Sequence, residues 1–395
     1  MALRPAARGI ADAAAPAEMA VDILTTEKRA RWERIDQLRG LAALAVVVCH
    51  LSVSAYLDVP NVDGGRWPWL AMLLGFGYLG VPLFFVISGF CIHLPFARAL
   101  AQDPGAVSMP DWRRFFARRF WRLYPPYLAA LAVALGLWWA TGEPVPWPAV
   151  TTQALLVHPF HTSTFDGVNP PAWTLSVEAQ LYVAYPLVFW LTARVGALRA
   201  LGAVLAITMA YRLTLALMPP LPPEVGGPAW AVFVARWFEW TLGATVAEWA
   251  AGRLALPRAL GSPWPGLAVL AAAVSIEWHA GSFGLYVIKE PLYGVAFALL
   301  LHAALLREPA GAASAPGRYL AGIGLYSYSL YLLHRPIQLA LEPLAGWVAT
   351  WPVVISHGLP SSLIIMAATT PLVLWVSRVF YRCFEEPAIE RARST

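Results

Sequence analysis

About ten stretches of this chain, each roughly 20 residues long and mostly apolar, are long enough to cross a hydrocarbon layer as helices. They fall at 37–57, 69–94, 122–141, 173–193, 200–218, 229–250, 263–281, 284–304, 319–340 and 357–377. Backbone groups in lipid find no water, so each crossing must close its own hydrogen bonds, as a helix does. The charge content agrees. Only 13% of the 395 residues are charged and 59% are hydrophobic, against about 25% charged in soluble domains. Too few polar side chains exist to coat a water-facing surface. The strict apolar–polar alternation of an outer-membrane barrel is missing. The expected fold is an all-α integral membrane protein, a polytopic bundle of about ten transmembrane helices with no soluble domain. The expected division is a mobile cytoplasmic tail at 1–34, a transmembrane domain at 35–387 and a cytoplasmic C-terminal tail at 388–395. No apolar core with a small-residue cleavage site marks a secretory signal. The three cysteines, Cys49, Cys91 and Cys383, form no CxxC pair and have no zinc-ligand spacing, so no metal is expected.

The net charge is +5. A basic chain can bind nucleic acid, but the positions of these charges explain them otherwise. With both termini on one side, 21 of the 28 lysines and arginines fall on that side. Only Arg66 and Lys289 fall opposite, and Arg39, Arg122, Arg212, Arg236 and Arg335 lie within spans. This asymmetry is that of cytoplasmic loops. It predicts a multi-pass protein of the cell (inner) membrane with cytoplasmic termini, the lipid bilayer as its partner and no nucleic acid.

Ionisable groups inside spans are expensive and are functional candidates by default. Arg39 and His50 lie eleven positions apart on one helix face, roughly 16 Å along its axis, with Asp36 on nearly the same face. Interfacial snorkelling accounts equally for Arg39 and Asp36, and an interhelical hydrogen bond is the plain alternative for His50. An imidazole suits proton transfer near neutral pH. Arg118-Arg119-Phe120-Trp121-Arg122 opens the third stretch, with Arg119 and Arg122 facing the same way. Their forked guanidinium groups suit a polyphosphate, while topology and anionic lipid heads explain them more simply. Asn169-Pro170-Pro171 precedes Trp173-Thr174-Leu175-Ser176-Val177-Glu178, with Tyr182 one turn on. The spans put Glu178 near the outer boundary, where it could orient an imidazole or make a plain polar contact between helices. Ser327, Tyr331 and His334 share a stripe that serves either chemistry or packing through hydroxyls. Gly75, Gly77, Gly80 and Gly89 suit close helix packing. His93, Glu239, Glu248, Glu277, His279, His302 and His357 are isolated, which favours structural roles. His158 and His161 lack further ligands for a metal.

Taken together, these clusters resemble the acyltransferase-3 family of integral membrane O-acyltransferases. Arg39 and His50 match its basic-x₁₀-His pattern, with Asp36 in the usual place. Phe84-Phe85-Val86-Ile87-Ser88-Gly89-Phe90 resembles its aromatic-Ser-Gly-Phe segment. Arg119-Phe120-Trp121-Arg122-Leu123-Tyr124-Pro125 resembles its Arg-x-x-Arg-x-x-Pro motif. Trp173 to Glu178 resembles its Trp-Ser-Leu-Ser-Val-Glu motif, with Thr174 for the first serine. Ser327 to His334 and Phe384-Glu385-Glu386-Pro387 match its closing segments. The resemblance implies acetyl-CoA or another acyl-CoA as cytoplasmic donor. The acceptor would be a hydroxyl of a surface glycan, lipid-linked sugar or small natural product. By the same resemblance His50 is the catalytic histidine and Arg39 its partner. Arg119 and Arg122, with Arg39, hold the donor, and Glu178 is an active-site carboxylate. Asp36, Ser88, Trp173, Ser176, Tyr182, Tyr331 and His334 are substrate-contacting or supporting residues. The fused extracytoplasmic hydrolase-like domain of some members is not expected. Direct transfer and an acyl-histidine intermediate both remain open, and Glu178 is expected as the acid beside His50 if the fourth span packs on the first. The rival from another class is a transporter exporting acylated or short-chain products, although no inverted repeat is visible. A polyprenol-dependent glycosyltransferase would need paired acids that Asp58 and Asp63 supply poorly.

Overall fold

The computed structural model describes residues 32–50, 74–103, 110–217, 228–279, 287–307, 314–352 and 361–395. The N-terminal tail before residue 32, His357, Asp58, Asp63, Arg66 and parts of the first, second and last stretches lie outside the described residues. The described chain is helical, with no strand. The long helices are α1 (32–50), α2 (Gly80–Gln102), α3 (Trp112–Ala140), α4 (Trp173–Val195), α5 (Ala197–Leu217), α6 (Phe233–Ala250), α7 (Pro263–His279) and α8 (Lys289–Leu306). They are followed by α9 (Ala315–Leu325), α10 (Ser327–Ala340), α11 (Ser361–Phe380) and α12 (Glu386–Ser394).

The described part of each predicted apolar stretch falls on one of these helices, with one correction. The stretch 319–340 is not one rod: α9 ends at Leu325 and α10 begins at Ser327, with a turn at Tyr326 between them. Among the described helices, Phe76–Gln102, Trp112–Ala140, Ala197–Leu217 and Lys289–Leu306 combine the length and apolarity needed to cross a bilayer.

Two contacts set the interior. Helices α2 and α6 meet backbone to backbone, because Gly89 lies against the carbonyl of Trp240 and Gly243 against that of Val86. Gly77 and Gly80 likewise sit against α1, while Gly75 faces open space. The second contact involves α10. Pro336 has no N–H, so the carbonyl of Leu332 loses its helical donor. The Nδ2 of Asn169 donates to it at 3.0 Å.

Asn169 belongs to the segment joining α3 to α4. That segment folds into short helical turns, Trp147–Ala154, His158–Phe160, Thr162–Phe165 and Pro170–Ala172. It packs into the bundle. The hydroxyls of Tyr124 and Tyr127 donate to the carbonyls of Ala154 (2.9 Å) and Gln153 (2.7 Å). Ser176 donates to the carbonyl of Leu156, a residue held at φ 59°. Such a backbone is strained for a leucine, so the contacts around it over-determine the turn. The C-terminal end is also stitched in. A widened turn at Tyr381–Glu385 presents the buried Glu385 to the start of α10, where it accepts from the N–H (3.0 Å) and hydroxyl (2.5 Å) of Ser329. A carboxylate there complements the helix N-terminus.

Candidate active site

Each of the separate sequence clusters contributes residues to the wall of one cavity. It encloses about 980 Å³ of empty space, its open mouth included. Arg39 of α1 and Arg119 and Arg122 of α3 supply three guanidinium groups to its wall. Ser88 and Cys91 come from α2, Thr174, Glu178 and Tyr182 from α4, and Ser327, Tyr328 and Tyr331 from α10. Phe84, Phe85 and Leu175 are among its apolar walls.

The expected position of Glu178 needs correcting. It lies not at the far boundary from the arginines but in their cavity, because the segment before α4 folds back into the bundle. Its Oε1 accepts from Ser88 at 2.9 Å and from Tyr182 at 2.5 Å. Ser88 in turn accepts the indole N–H of Trp240 at 3.3 Å, a link made possible by the Gly89–Gly243 approach. The guanidinium of Arg119 sits between the rings of Phe115 (5.4 Å) and Tyr182 (5.8 Å). Stacking of this kind fixes the plane of the fork. The Nε of Arg119 and the hydroxyl of Ser327 are buried with no protein partner among the described residues. Buried polar atoms are nearly always satisfied, so two orphans in one cavity wall point to a polar occupant.

His50 does not line this cavity. Its Nδ1 lies 3.0 Å from the carbonyl of Val46 and 3.4 Å from Nε2 of the fully buried His334. The two rings meet edge-on, 4.9 Å between centroids. His334 Nδ1 lies 2.7 Å from the carbonyl of Tyr331, whose side chain does line the cavity. One partner of His50 across helices is thus an imidazole, whereas Glu178 is bonded to Ser88 and Tyr182. Both carbonyls only accept, so both Nδ1 atoms carry hydrogen. His334 Nε2 then accepts from His50, and His50 Nε2 keeps its lone pair.

The remaining expected residues divide. Asp36 pairs with Arg39 at 3.7 Å. Tyr331 accepts from Thr174 at 2.8 Å and donates to the carbonyl of Pro171 at 3.1 Å, closing the cavity roof. Trp173 and Ser176 stand outside the wall. Trp173 packs edge-on against Trp230 (4.9 Å) under the guanidinium of Arg236 (5.7 Å), and Ser176 holds the joining segment. Sequence reasoning missed Glu290. It binds Arg212, and also Arg236 at 2.7 Å, in a buried group completed by Glu239 at 3.3 Å from Arg236. Beside it, Glu277 accepts from Lys289 (2.8 Å), Tyr293 (2.5 Å) and Tyr78. His93 bridges Glu248 (2.7 Å) and Tyr185 (3.0 Å) in the interior, so His93 and Glu248 are not the isolated residues expected. No group of three metal-ligating side chains exists among the described residues.

Residues 32–381 match the model of an acyltransferase domain. The chain belongs to the acyltransferase-3 family. Among curated relatives of this acyltransferase is Acyltransferase MdmB of Streptomyces mycarofaciens, 25% identical over 329 residues, covering 77% of this chain and 78% of the relative. Another is the Putative peptidoglycan O-acetyltransferase YrhL of Bacillus subtilis (strain 168), 26% identical over 344 residues. That match covers 78% of this chain but only 49% of the relative, so the chain spans about half of its length. The Putative acetyltransferase ORF330 of Acidianus two-tailed virus is 30% identical over 187 residues, 46% of this chain and 48% of the relative. No solved structure matches. Family membership and the four long apolar helices together make this a membrane acyltransferase.

Proposed function

We propose that this acyltransferase moves an acyl group, acetyl foremost, from cytoplasmic acyl-CoA to a hydroxyl of a sugar-bearing or natural-product acceptor, in the inner membrane with both termini cytoplasmic. The observation that carries the reading is the three-arginine wall of one cavity. Coenzyme A bears several phosphates, and Arg39, Arg119 and Arg122 would hold them through charge-assisted forks. The orphaned Nε of Arg119 suits the same ligand. Glu178 lies in the same wall and, through its bond to Tyr182, keeps that ring beneath Arg119. The long pantetheine arm would then run from the arginines past Tyr331 toward His50, which stands roughly 16 Å from Arg39 along α1. His50 Nε2 would take the proton of the attacking hydroxyl as the oxygen closes on the thioester carbonyl, an assistance worth about 10²–10⁴-fold. The acceptor class is supported by the peptidoglycan named for the Bacillus relative.

Cys91 provides a direct test, since its thiol shares the wall with the arginines. In a Cys49→Ser/Cys383→Ser background an anionic methanethiosulfonate should label Cys91, and acyl-CoA should protect it. Labelling at the same rate with saturating acyl-CoA present would refute the donor site. In parallel, membranes given labelled acetyl-CoA and a polyhydroxylated acceptor should form ester-linked label that mild alkali releases.

A further inference from the structure

We infer that His334 is the positioning residue of the reaction: its Nε2 shares the His50 Nδ1 hydrogen with the Val46 carbonyl, holds the ring in place and steadies its charged form once Nε2 of His50 has taken a proton. The inference rests on the acyl-transfer reading above and names the partner of its base. In hydrolases and transferases built on a histidine base, a carboxylate usually takes the second ring nitrogen and orients the imidazole. The carboxylate expected for that place, Glu178, is bonded to Ser88 and Tyr182 in the arginine cavity. An imidazole stands at His50 instead, with Nε2 at 3.4 Å from His50 Nδ1.

Its own orientation is well fixed. His334 is fully buried, its Nδ1 donates to the Tyr331 carbonyl at 2.7 Å, and Tyr331 is pinned by Thr174 and Pro171. One turn along α10, Gln338 donates to the carbonyl of Val47 at 3.1 Å and locks α10 against α1 at this level. With both rings neutral, the Val46 carbonyl keeps hydrogen on His50 Nδ1, so the lone pair of His334 Nε2 is a second acceptor of it and Nε2 of His50 is the basic nitrogen. Arg335, on α10 itself, is an ionic group felt by both rings. A second imidazole, unlike a carboxylate, adds no negative charge to a buried site, which avoids the desolvation penalty of an isolated ion.

The steps balance. The acceptor hydroxyl gives its proton to His50 Nε2 while its oxygen bonds to the acyl carbon. The carbon–sulfur bond then breaks. The Nδ1 proton of His50 is shared with His334 Nε2 meanwhile, and one proton passes from His50 Nε2 to the departing thiolate. The products are an oxygen ester and coenzyme A thiol, with both histidines neutral again.

The test compares three substitutions of similar bulk or less, in purified full-length protein assayed with labelled acetyl-CoA. His334→Gln retains an oxygen that accepts from His50 but cannot hold a proton, His334→Met has no comparable acceptor, and His334→Ala leaves a void. The expected result is a loss of kcat of about 100-fold in His334→Met and His334→Ala, with KM for acetyl-CoA within twofold of wild type. His334→Gln should recover at least tenfold of the loss. Equal kcat in His334→Gln and His334→Met, or a kcat in His334→Met above a third of wild type, would overturn the inference. So would a loss carried by KM alone. If wild-type protein itself fails to transfer the label, the functional reading falls and this inference falls with it. If the Ala variant does not accumulate, the Gln–Met pair still decides, because only hydrogen-bond acceptance separates them.

Discussion

At the scale of single residues, the spacing of Arg39 and His50 was fully legible in the sequence, because eleven positions on a helix set both face and separation. The partners of these residues were not. Glu178 and His50 looked like a natural acid–base pair in a linear reading of the spans, and no rule of helix spacing revealed that the segment before α4 turns inward and carries Glu178 to the arginines. Nothing in the neighbourhood of Trp240 marked it as the donor to Ser88, since that contact depends on glycines of two different helices. The arginines bear a prediction. Arg119→Gln and Arg122→Gln should each raise KM for acyl-CoA at least tenfold, equivalent to about 1.4 kcal/mol, with kcat changing less. Tyr182→Leu should mimic Arg119→Gln because the ring beneath the guanidinium is gone, and Tyr182→Phe should be milder because it keeps the face and loses only the bond to Glu178. Michaelis curves for acyl-CoA check this, and identical values for Leu and Phe would show that the ring face does not hold Arg119.

At the scale of elements, apolar length located helices, but four of the described ones have the length and apolarity of a bilayer crossing, against the ten expected, and helix continuity was not legible. The run 319–340 carries Gly322 and Gly324 just before Tyr326, but a glycine serves close packing as well as a turn, as Gly324 does against the Asp36 carbonyl. The break is imposed by tertiary contacts, Glu385 binding Ser329 and the hydroxyl of Tyr328 donating to the Leu123 carbonyl at 2.8 Å. The α2–α6 contact is the element-level test. Gly243→Val would drive a side chain into the Val86 carbonyl, and overpacking costs about 1–3 kcal/mol. It should also pull Trp240 from Ser88, so activity in membranes should fall further than protein yield does. The joining segment gives a pH test. Burial pushes the imidazole of His158 down to about 4, and neither ring nitrogen has a partner among the described residues. The folded protein therefore binds fewer protons than the unfolded one between pH 4 and 6.5. Stability is fully present above about pH 6.5 and is lost as pH falls toward 4, by about 2 kcal/mol at pH 5. Thermal melting at pH 7.5 and 5.0 should show this acid loss in wild type and a smaller one in His158→Phe. Equal losses would exclude His158 as its source.

At the scale of the whole molecule, buried charge does work that composition could not reveal. Glu290 adjoins Lys289 at the start of an apolar stretch and reads as part of a polar loop, yet it anchors Arg212 of α5 and Arg236 of α6 against α8. Removing one member of a buried pair strands the others, at about 3–5 kcal/mol. Arg236→Leu should therefore sharply reduce folded protein in membranes, and adding Glu239→Leu should restore part of it. Fluorescence-detected size exclusion in detergent measures both, and a single variant as abundant as wild type would remove the group from the account of stability. The bare carbonyl of Leu332 has a consequence of another kind, one of timing. Translation supplies Asn169 long before Pro336, so its amide is waiting when the last third of the chain is threaded into the bilayer. Until the two meet, α10 carries an unanswered acceptor in hydrocarbon, and quality-control proteases have that interval in which to act. Asn169→Ala should thus be seen first in pulse–chase lifetimes of newly made protein, before any assay of mature enzyme detects it.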